Sequence, residues 1–289
     1  MSVGTSDPRP RREAGPFRPL LVTDLDGTAV DKRNQIARGT IQALEVLRRT
    51  GWDVTVATGR MLHSARQHMI SVGSDLPAIV YDGGRIMKAS GVSLWEVPMS
   101  ASVAQEALRL AWESGMEVQL MADELIICRP EDWRTMAFLD QVGAPYVSEL
   151  IGPVLPSRRL FRVMLYDPDP SRAVVVGAEL RSVLGDRVEI VAAGDGFLDV
   201  LPSGVSKGAA LDRWLDQMGR CYRPVVAVGD NENDLELLLR VDLAVAVSTA
   251  PQEVLDVASW VIPPPDDGGP EELVSRLIQA DLCDIVADW

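Results

Sequence analysis

The chain has 289 residues, 47% of them hydrophobic and 24% charged, with a formal net charge of −14 at pH 7. This apolar mass excludes a disordered chain, and the acidic balance argues against nucleic-acid or anionic-membrane partners, which require a basic footprint. The length suits one large domain or two modest ones, either able to bury a sizeable core.

Residues 1–17 are polar and Pro/Gly-rich and read as a flexible tail, with no apolar run to suggest a signal peptide. Leu20 to Thr23 is a compact apolar run, predicted as a buried strand, and ends in Asp24-Leu-Asp-Gly-Thr28. Ile41, Leu44 and Leu47 recur at helical spacing before Gly51. A second strand, Val54 to Ala57, runs into Thr58-Gly-Arg60. A helix is expected over 61–72, and a third strand, Ala78 to Tyr81, precedes Asp82-Gly83. This alternation predicts a parallel sheet, whose carboxyl ends are where ligands bind.

From 85 to 200 the rhythm changes. Helices are expected near 100–114, 131–142 and 171–184. Strands are expected at 117–121, 124–128, 160–166, 187–193 and 196–201, some of them antiparallel, for example across a turn at Asp123. The first rhythm returns at 206 with a helix over 206–219 and strand Val225 to Val228 ending in Gly229-Asp-Asn-Glu-Asn-Asp234. Helix, strand 243–247, helix 251–258, strand 260–262 and a final helix follow. The pattern predicts an α/β fold: one doubly wound, Rossmann-like parallel-sheet core in two pieces, 18–84 and 201–289, with an α+β domain, 85–200, inserted between them.

Asp24 and Asp26 sit two apart just after a buried strand. If the strand geometry continues, both face one side, and their repulsion calls for a divalent cation or a shared proton. Mg²⁺ suits such oxygen ligands. Solvated loop acids are the alternative. Asp230 and Asp234 form a second acidic pair after a strand, for which helix capping is the local alternative. In a parallel sheet all these strand ends share one edge, and four acids there need a cation. Thr58 at a helix start offers a phosphate site, or an N-cap. Lys207 offers a point positive charge, or is a solvated surface lysine. His63 and His68, five apart, do not match a helical zinc pair and read as surface or packing residues. Leu235 to Leu239 reads as a buried helix face. Cys128, Cys221 and Cys283 form no zinc or disulfide pattern and read as reduced thiols of a cytoplasmic protein.

Taken in order, Asp24-Leu-Asp-Gly-Thr28, Ala57-Thr-Gly-Arg60, Ser206-Lys-Gly208 and Gly229-Asp-Asn-Glu-Asn-Asp234 resemble the haloacid dehalogenase-like (HAD) hydrolase superfamily, and within it the Cof-type sugar-phosphate phosphatases. The resemblance implies a HAD core with the inserted unit as a cap. It implies a Mg²⁺-dependent phosphatase acting on a small phosphorylated metabolite, a sugar phosphate, with no nucleic-acid, membrane or protein partner. Asp24 would be the nucleophile that forms an aspartyl-phosphate, and Asp26 the acid and base. Thr58, Gly59, Arg60, Lys207 and Asn233 would bind the substrate, Thr58 and Lys207 at the phosphoryl oxygens. The metal set would be Asp24, the Asp26 backbone carbonyl and Asp230, with Asp234 bracing Lys207 or a metal-bound water. A phosphomutase of the same family and a catalytically silent binding protein on this fold are the alternatives. A glycosyltransferase using Asp-x-Asp would not require Lys207 or the 230–234 set.

Two positions depart from the family pattern: Asp82 and Thr249 each stand where Asn is usual. Asp82 is expected either to pair with Arg85 or Arg60, or to add negative charge beside the substrate and disfavour polyanions. Arg129, Arg134, Arg158 and Arg162 are candidate cap contacts, with surface placement the default for each.

Overall fold

The computed structural model describes residues 17–149, 158–192, 196–219 and 222–280. Most of the expected tail, and Cys221 and Cys283, lie outside the described residues.

The elements in chain order are β1 (Arg18–Thr23), α1 (Arg38–Arg49), β2 (Asp53–Val56), α2 (Leu62–Ser71), β3 (Ala78–Val80), β4 (Arg85–Met87), β5 (Ser93–Glu96) and α3 (Ala101–Ser114). Then come β6 (Glu117–Ala122), β7 (Leu125–Cys128), α4 (Trp133–Val142), β8 (Tyr146–Ser148), β9 (Leu160–Tyr166), α5 (Pro170–Leu184), β10 (Val188–Ala192) and β11 (Phe197–Pro202). The chain closes with α6 (Lys207–Met218), β12 (Tyr222–Gly229), α7 (Leu235–Leu238), β13 (Leu243–Val247), α8 (Gln252–Val257), β14 (Trp260–Ile262) and α9 (Gly269–Gln279).

Five strands form a parallel sheet in the order β14-β13-β12-β1-β2. Its central strands read as unbroken apolar runs because both faces are covered by helices. Leu21, Val226 and Val245 pack with Leu44, Leu47, Leu273 and Leu277 on one side. Leu20, Val22 and Ala227 pack with Leu211, Trp214 and Leu237 on the other. From β1 the order runs one way to β2, while β12, β13 and β14 run the other way. The reversal between β1 and β12 is a topological switch point, where open α/β sheets leave a crevice at the strand carboxyl ends. Asp24 follows β1 and Asp230 follows β12, so the switch point lies between them.

β3 joins β2 through a single parallel bridge, Ala57 to Ile79. It also pairs antiparallel with β4, and β4 with β5. The segment after residue 84 therefore begins with a hairpin that extends the β3 side, and the six-stranded sheet starts only at β6. That sheet has the order β10-β11-β9-β6-β7-β8 and is antiparallel except for β7 and β8. Helices α3 and α5 cover one face, with Leu108 and Leu180 against Leu120, Val163 and Leu165. Successive strand residues alternate faces, so Gln119, Met121, Arg162, Met164 and Asp199 lie on the other face, and all five line a cavity shared with Asp24 and Asp230.

Candidate active site

The cavity has a volume of about 480 Å³. The ends of β1, β2 and β12 and the turn after β3 form its floor, and α4, β6, β9 and β11 contribute its wall.

Asp24 is 4% exposed, and its backbone N–H donates to the Val228 carbonyl at 3.0 Å, which ties the end of β1 to β12. Lys207 opens α6 behind the Ser206 N-cap, whose hydroxyl accepts from the Ala209 N–H. The lysine is 1% exposed. Its ammonium donates to Asp24 Oδ1 at 2.7 Å and to Asp234 Oδ1 at 2.6 Å. The surface-lysine alternative is thereby excluded. Gly83, at φ +99°, lets the turn after β3 pass against α6, since a Cβ there would lie 2.1 Å from the Ser206 carbonyl oxygen.

Asp234 closes a capping box with Asn231, and its Oδ2 accepts from the backbone N–H groups of Asp230 and Asn231. Both its oxygens therefore have protein partners, and bracing Lys207 is the role its geometry shows. Asp230 accepts from the Thr28 hydroxyl at 2.9 Å. Gly27, at φ +75°, makes room for it, because a Cβ there would sit 2.3 Å from Asp230 Oδ2.

Asp24, Asp230 and Asp234 each place a carboxylate oxygen within 4.8 Å of the others. Lys207 contacts only Asp24 and Asp234 of the three acids, so negative charge is in excess. Burial pushes Asp24 well above the usual carboxylate range, and Asp234, Asp230 and Asp26 add to this against the pull of Lys207. Burial and Asp234 push Asp230 up to about 6. Burial alone would discharge Lys207, but Asp234 and Asp24 outweigh it and hold the ammonium charged. Buried hard oxygens carrying uncompensated charge are the donor set a small divalent cation requires, so these residues fit Mg²⁺.

Asp26 departs from the expected geometry. The strand ends at Thr23, the chain turns, and Asp26 bridges Val30 instead. Its carboxylate is exposed, and the residue lines the same cavity as Asp24. It forms a two-pronged ion pair with Arg60, one arm from Nε at 2.8 Å and the other from Nη2. Partial burial raises Asp26, but the Arg60 hydrogen bonds and charge outweigh it and keep the carboxyl below its ordinary range. Arg60 also donates to Asn34 at 2.7 Å and to His68 Nε2 at 2.8 Å. Having only donors, Arg60 makes Nε2 the acceptor, so the His68 proton sits on Nδ1. Burial, then the Arg60 charge, lower His68 from its ordinary value. His68 is thus a buried partner of a site residue, which its spacing from His63 gave no means to see. His63 lines the cavity.

Thr58 is fully buried, and its hydroxyl oxygen accepts from the Arg60 N–H at 3.1 Å. Gly59 lies under Asp82, whose carboxylate oxygens would stand 2.8 and 2.9 Å from a Cβ there. Asn233 spends its Nδ2 on Asp82 Oδ1 at 2.7 Å.

Asp82, at φ +52°, is 2% exposed. Neither expected partner holds it: Arg60 is on Asp26, and Arg85 is on Glu96 and Glu124. Its ion-pair partner is Arg162 of β9, which also donates to Asp199 Oδ2 of β11 at 3.1 Å. Of the four cap arginines, Arg162 alone lines the cavity. Arg129 is held by Asp132 and Arg134 by Glu117, while Arg158 is exposed. Thr249 is exposed at a turn after β13. Leu239 is 62% exposed, so only part of the 235–239 run is buried.

The family model of the haloacid dehalogenase-like hydrolases matches residues 21–271. The chain belongs to this family. Among relatives, a phosphoglycolate phosphatase of Methanoculleus marisnigri is 28% identical over 246 residues, covering 83% of this chain and 88% of that one. An HMP-PP phosphatase of Cronobacter sakazakii is 27% identical over 216 residues, covering 74% and 78%. A solved HAD subclass IIB sugar phosphatase superposes with a TM-score of 0.76 at 20% identity, covering 90% of this chain and 98% of that one. At that identity the likeness carries the HAD fold alone. Asp24, Thr58 and Asp230 follow the neighbouring strands β1, β2 and β12 at one sheet edge, where Lys207 contacts Asp24. Among the described residues, no helix is long and apolar enough to cross a membrane.

Proposed function

We propose that this chain is a Mg²⁺-dependent phosphatase that hydrolyses a small phosphorylated metabolite through an aspartyl-phosphate on Asp24. The observation that carries the reading is the buried contact of Lys207 with Asp24, 2.7 Å at the switch point of the sheet, beside Asp230 and a cavity of about 480 Å³ that Asp24 lines.

Asp24 would attack phosphorus and displace the alcohol, and Asp26 would give that alcohol its proton. Asp26 would then take a proton from the water that attacks the phosphorus of the aspartyl-phosphate, returning Asp24 and releasing phosphate. Covalent catalysis of this kind divides one difficult displacement into two easier ones. Lys207 and the Thr58 hydroxyl would hold phosphoryl oxygens, with Gly59, Arg60 and Asn233 beside them. Arg60 favours the ionised Asp26, the form suited to the second step. The acid role in the first step requires Asp26 to leave Arg60. Asp24, Asp230 and the Asp26 backbone carbonyl would hold the metal, with Asp234 bracing Lys207. When bound, Mg²⁺ offsets the repulsion between anionic nucleophile and anionic substrate.

In this reading residues 18–84 and 201–289 form the core, and 85–200 the inserted unit, whose six-stranded sheet closes the cavity and excludes water. A cytoplasmic location, supported by the buried free thiol of Cys128, completes it. The sugar phosphate that the family resemblance implies would bring its hydroxyls against a wall that includes Met121, Ile126, Leu139 and Met164.

The test is phosphate release across a panel of phosphomonoesters. Wild type should be active with Mg²⁺ and inactive with EDTA, and Asp24→Asn should be folded and nearly inactive. Metal-independent turnover, or an Asp24→Asn variant as fast as wild type, contradicts the reading.

A further inference from the structure

Helix α2 begins directly after the Thr58-Gly-Arg60 loop, and its own sequence does not cap it. Met61 stands at the N-cap with no side-chain oxygen, and no acid follows in the first turn. The opening N–H groups of a helix have no partner within it. Here one of them is satisfied from outside: the His63 N–H donates to Glu124 Oε2 at 2.9 Å. Glu124 lies in the turn between β6 and β7, 61 positions further along the chain. Its carboxylate also meets the positive pole of the helix.

Glu124 is held for that contact. Its other oxygen accepts from Arg85 at 3.3 Å. Arg85 is 5% exposed, with its guanidinium over the Phe161 ring at 4.6 Å. The neighbouring Asp123, at φ +47°, pairs with Arg159 at 2.7 Å. Glu124 does not line the cavity, so any effect it has on the site passes through α2. The other side of the loop is fixed as well. Gly59 packs against Asp82 and Arg162, where a Cβ would lie 2.8 Å from Asp82 Oδ2 and 3.1 Å from Arg162 Nη1. The Asp82 and Tyr81 N–H groups donate to the Thr58 and Arg60 carbonyls at 3.1 and 3.0 Å. Loop 58–60 is thus gripped beside Arg162 of β9 and, through the first turn of α2, by Glu124. Both side chains come from the segment that carries the six-stranded sheet.

We propose that Glu124 is a positioning residue: as an N-cap supplied to α2 from the β6–β7 turn, it fixes the first turn of that helix and with it the Thr58-Gly-Arg60 loop, so that the substrate-binding edge is complete only while this turn is docked. The proposal rests on the phosphatase reading above and adds how that site is held. No bond is made or broken at Glu124.

Hydrogen exchange of the free full-length protein reads the docking, and phosphate release reads its consequence. Loss of an N-cap shifts a local opening equilibrium by about fivefold or more. In Glu124→Ala the amides of residues 61–65 should exchange faster by that factor, while those of β1 and β12 keep the wild-type rate. Misplacing groups that hold a substrate costs up to about 100-fold, so kcat/KM with Mg²⁺ should fall at least about tenfold. It should fall equally for acetyl phosphate and p-nitrophenyl phosphate, because both need the loop. A loss on the larger ester alone marks Glu124 as a substrate contact and overturns the proposal. Glu124→Gln keeps an acceptor oxygen and should retain most of the protection and of the rate. If Glu124→Ala does not fold, Glu124→Asp, one methylene shorter, gives the same comparison. Unchanged exchange over 61–65 overturns the proposal whatever the activity. Faster exchange with wild-type kcat/KM removes this proposal and leaves the phosphatase reading standing. A wild-type enzyme that releases phosphate from neither compound removes both.

Discussion

Lys207 and Asp24 are 183 positions apart in the chain and 2.7 Å apart in the fold. The contact exists because β1 and β12, from opposite ends of the sequence, pair in parallel, and because α6 begins where the turn after β3 passes it. One ammonium is shared by two buried carboxylates, so its removal should do more than slow chemistry.

Lys207→Met leaves Asp24 and Asp234 facing each other without a cation. Breaking a buried ion pair by removing one partner costs about 3–5 kcal/mol. Loss of a charge aimed at the phosphoryl group should cost about 10²–10³-fold in kcat. Urea unfolding and phosphate-release kinetics measure the two. A variant of wild-type stability would show that Lys207 does not neutralise the cluster.

Asp82→Asn keeps the size and tolerates the positive φ of this turn while removing a charge from the Arg162 pair. Arg162 then faces the Asp199 carboxylate alone, and one negative charge beside a substrate anion is gone. The ratio of bisphosphate to monophosphate turnover should rise about tenfold, the effect of one charge-assisted hydrogen bond of roughly 1.5 kcal/mol. Parallel initial rates with a sugar monophosphate and the matching bisphosphate give the ratio. An unchanged ratio would place the Asp82 charge outside the substrate's reach.

His68 accepts from Arg60 and is held below its ordinary value of 6.5 by burial and then by the Arg60 charge. The native state binds this proton less readily than the unfolded chain does. Stability from this site is therefore complete above about pH 6.5 and is lost as pH falls through the lower native value. Tm should drop over that window in wild type, and the drop should be smaller in His68→Gln, which keeps an acceptor and cannot titrate. Identical pH profiles for the two would contradict the arrangement.

Much of this architecture was legible in the sequence, for reasons that also explain what was not. The buried parallel strands announce themselves as apolar runs ending in Asp or Gly, and the switch point follows from their order. β4 and β8 are three residues each, and β5 reads Ser-Leu-Trp-Glu. Such segments carry too little periodicity to register, and the pairing of β4 with β3, β5 with β4 and β8 with β7 is a tertiary fact. The placement of Asp26 follows strand geometry only while the strand lasts, and β1 ends at Thr23. The Arg162 pair with Asp82 spans 80 positions and two sheets. No local pattern encodes it, and the nearer arginines, Arg60 and Arg85, are the natural but incorrect partners. Asp24, Thr58, Lys207 and Asp230 were readable because each sits where a strand ends or a helix begins, and such positions are set by local sequence.

The central claim is covalent: phosphate passes through Asp24. Wild-type enzyme with Mg²⁺ and a ³²P-labelled phosphomonoester that it turns over, acid-quenched within the first turnover and digested, should yield a hydroxylamine-labile label on the peptide that contains Asp24, absent from Asp24→Asn. Burst-free phosphate release with no labelled peptide, together with an Asp24→Asn variant that still turns over, would contradict it.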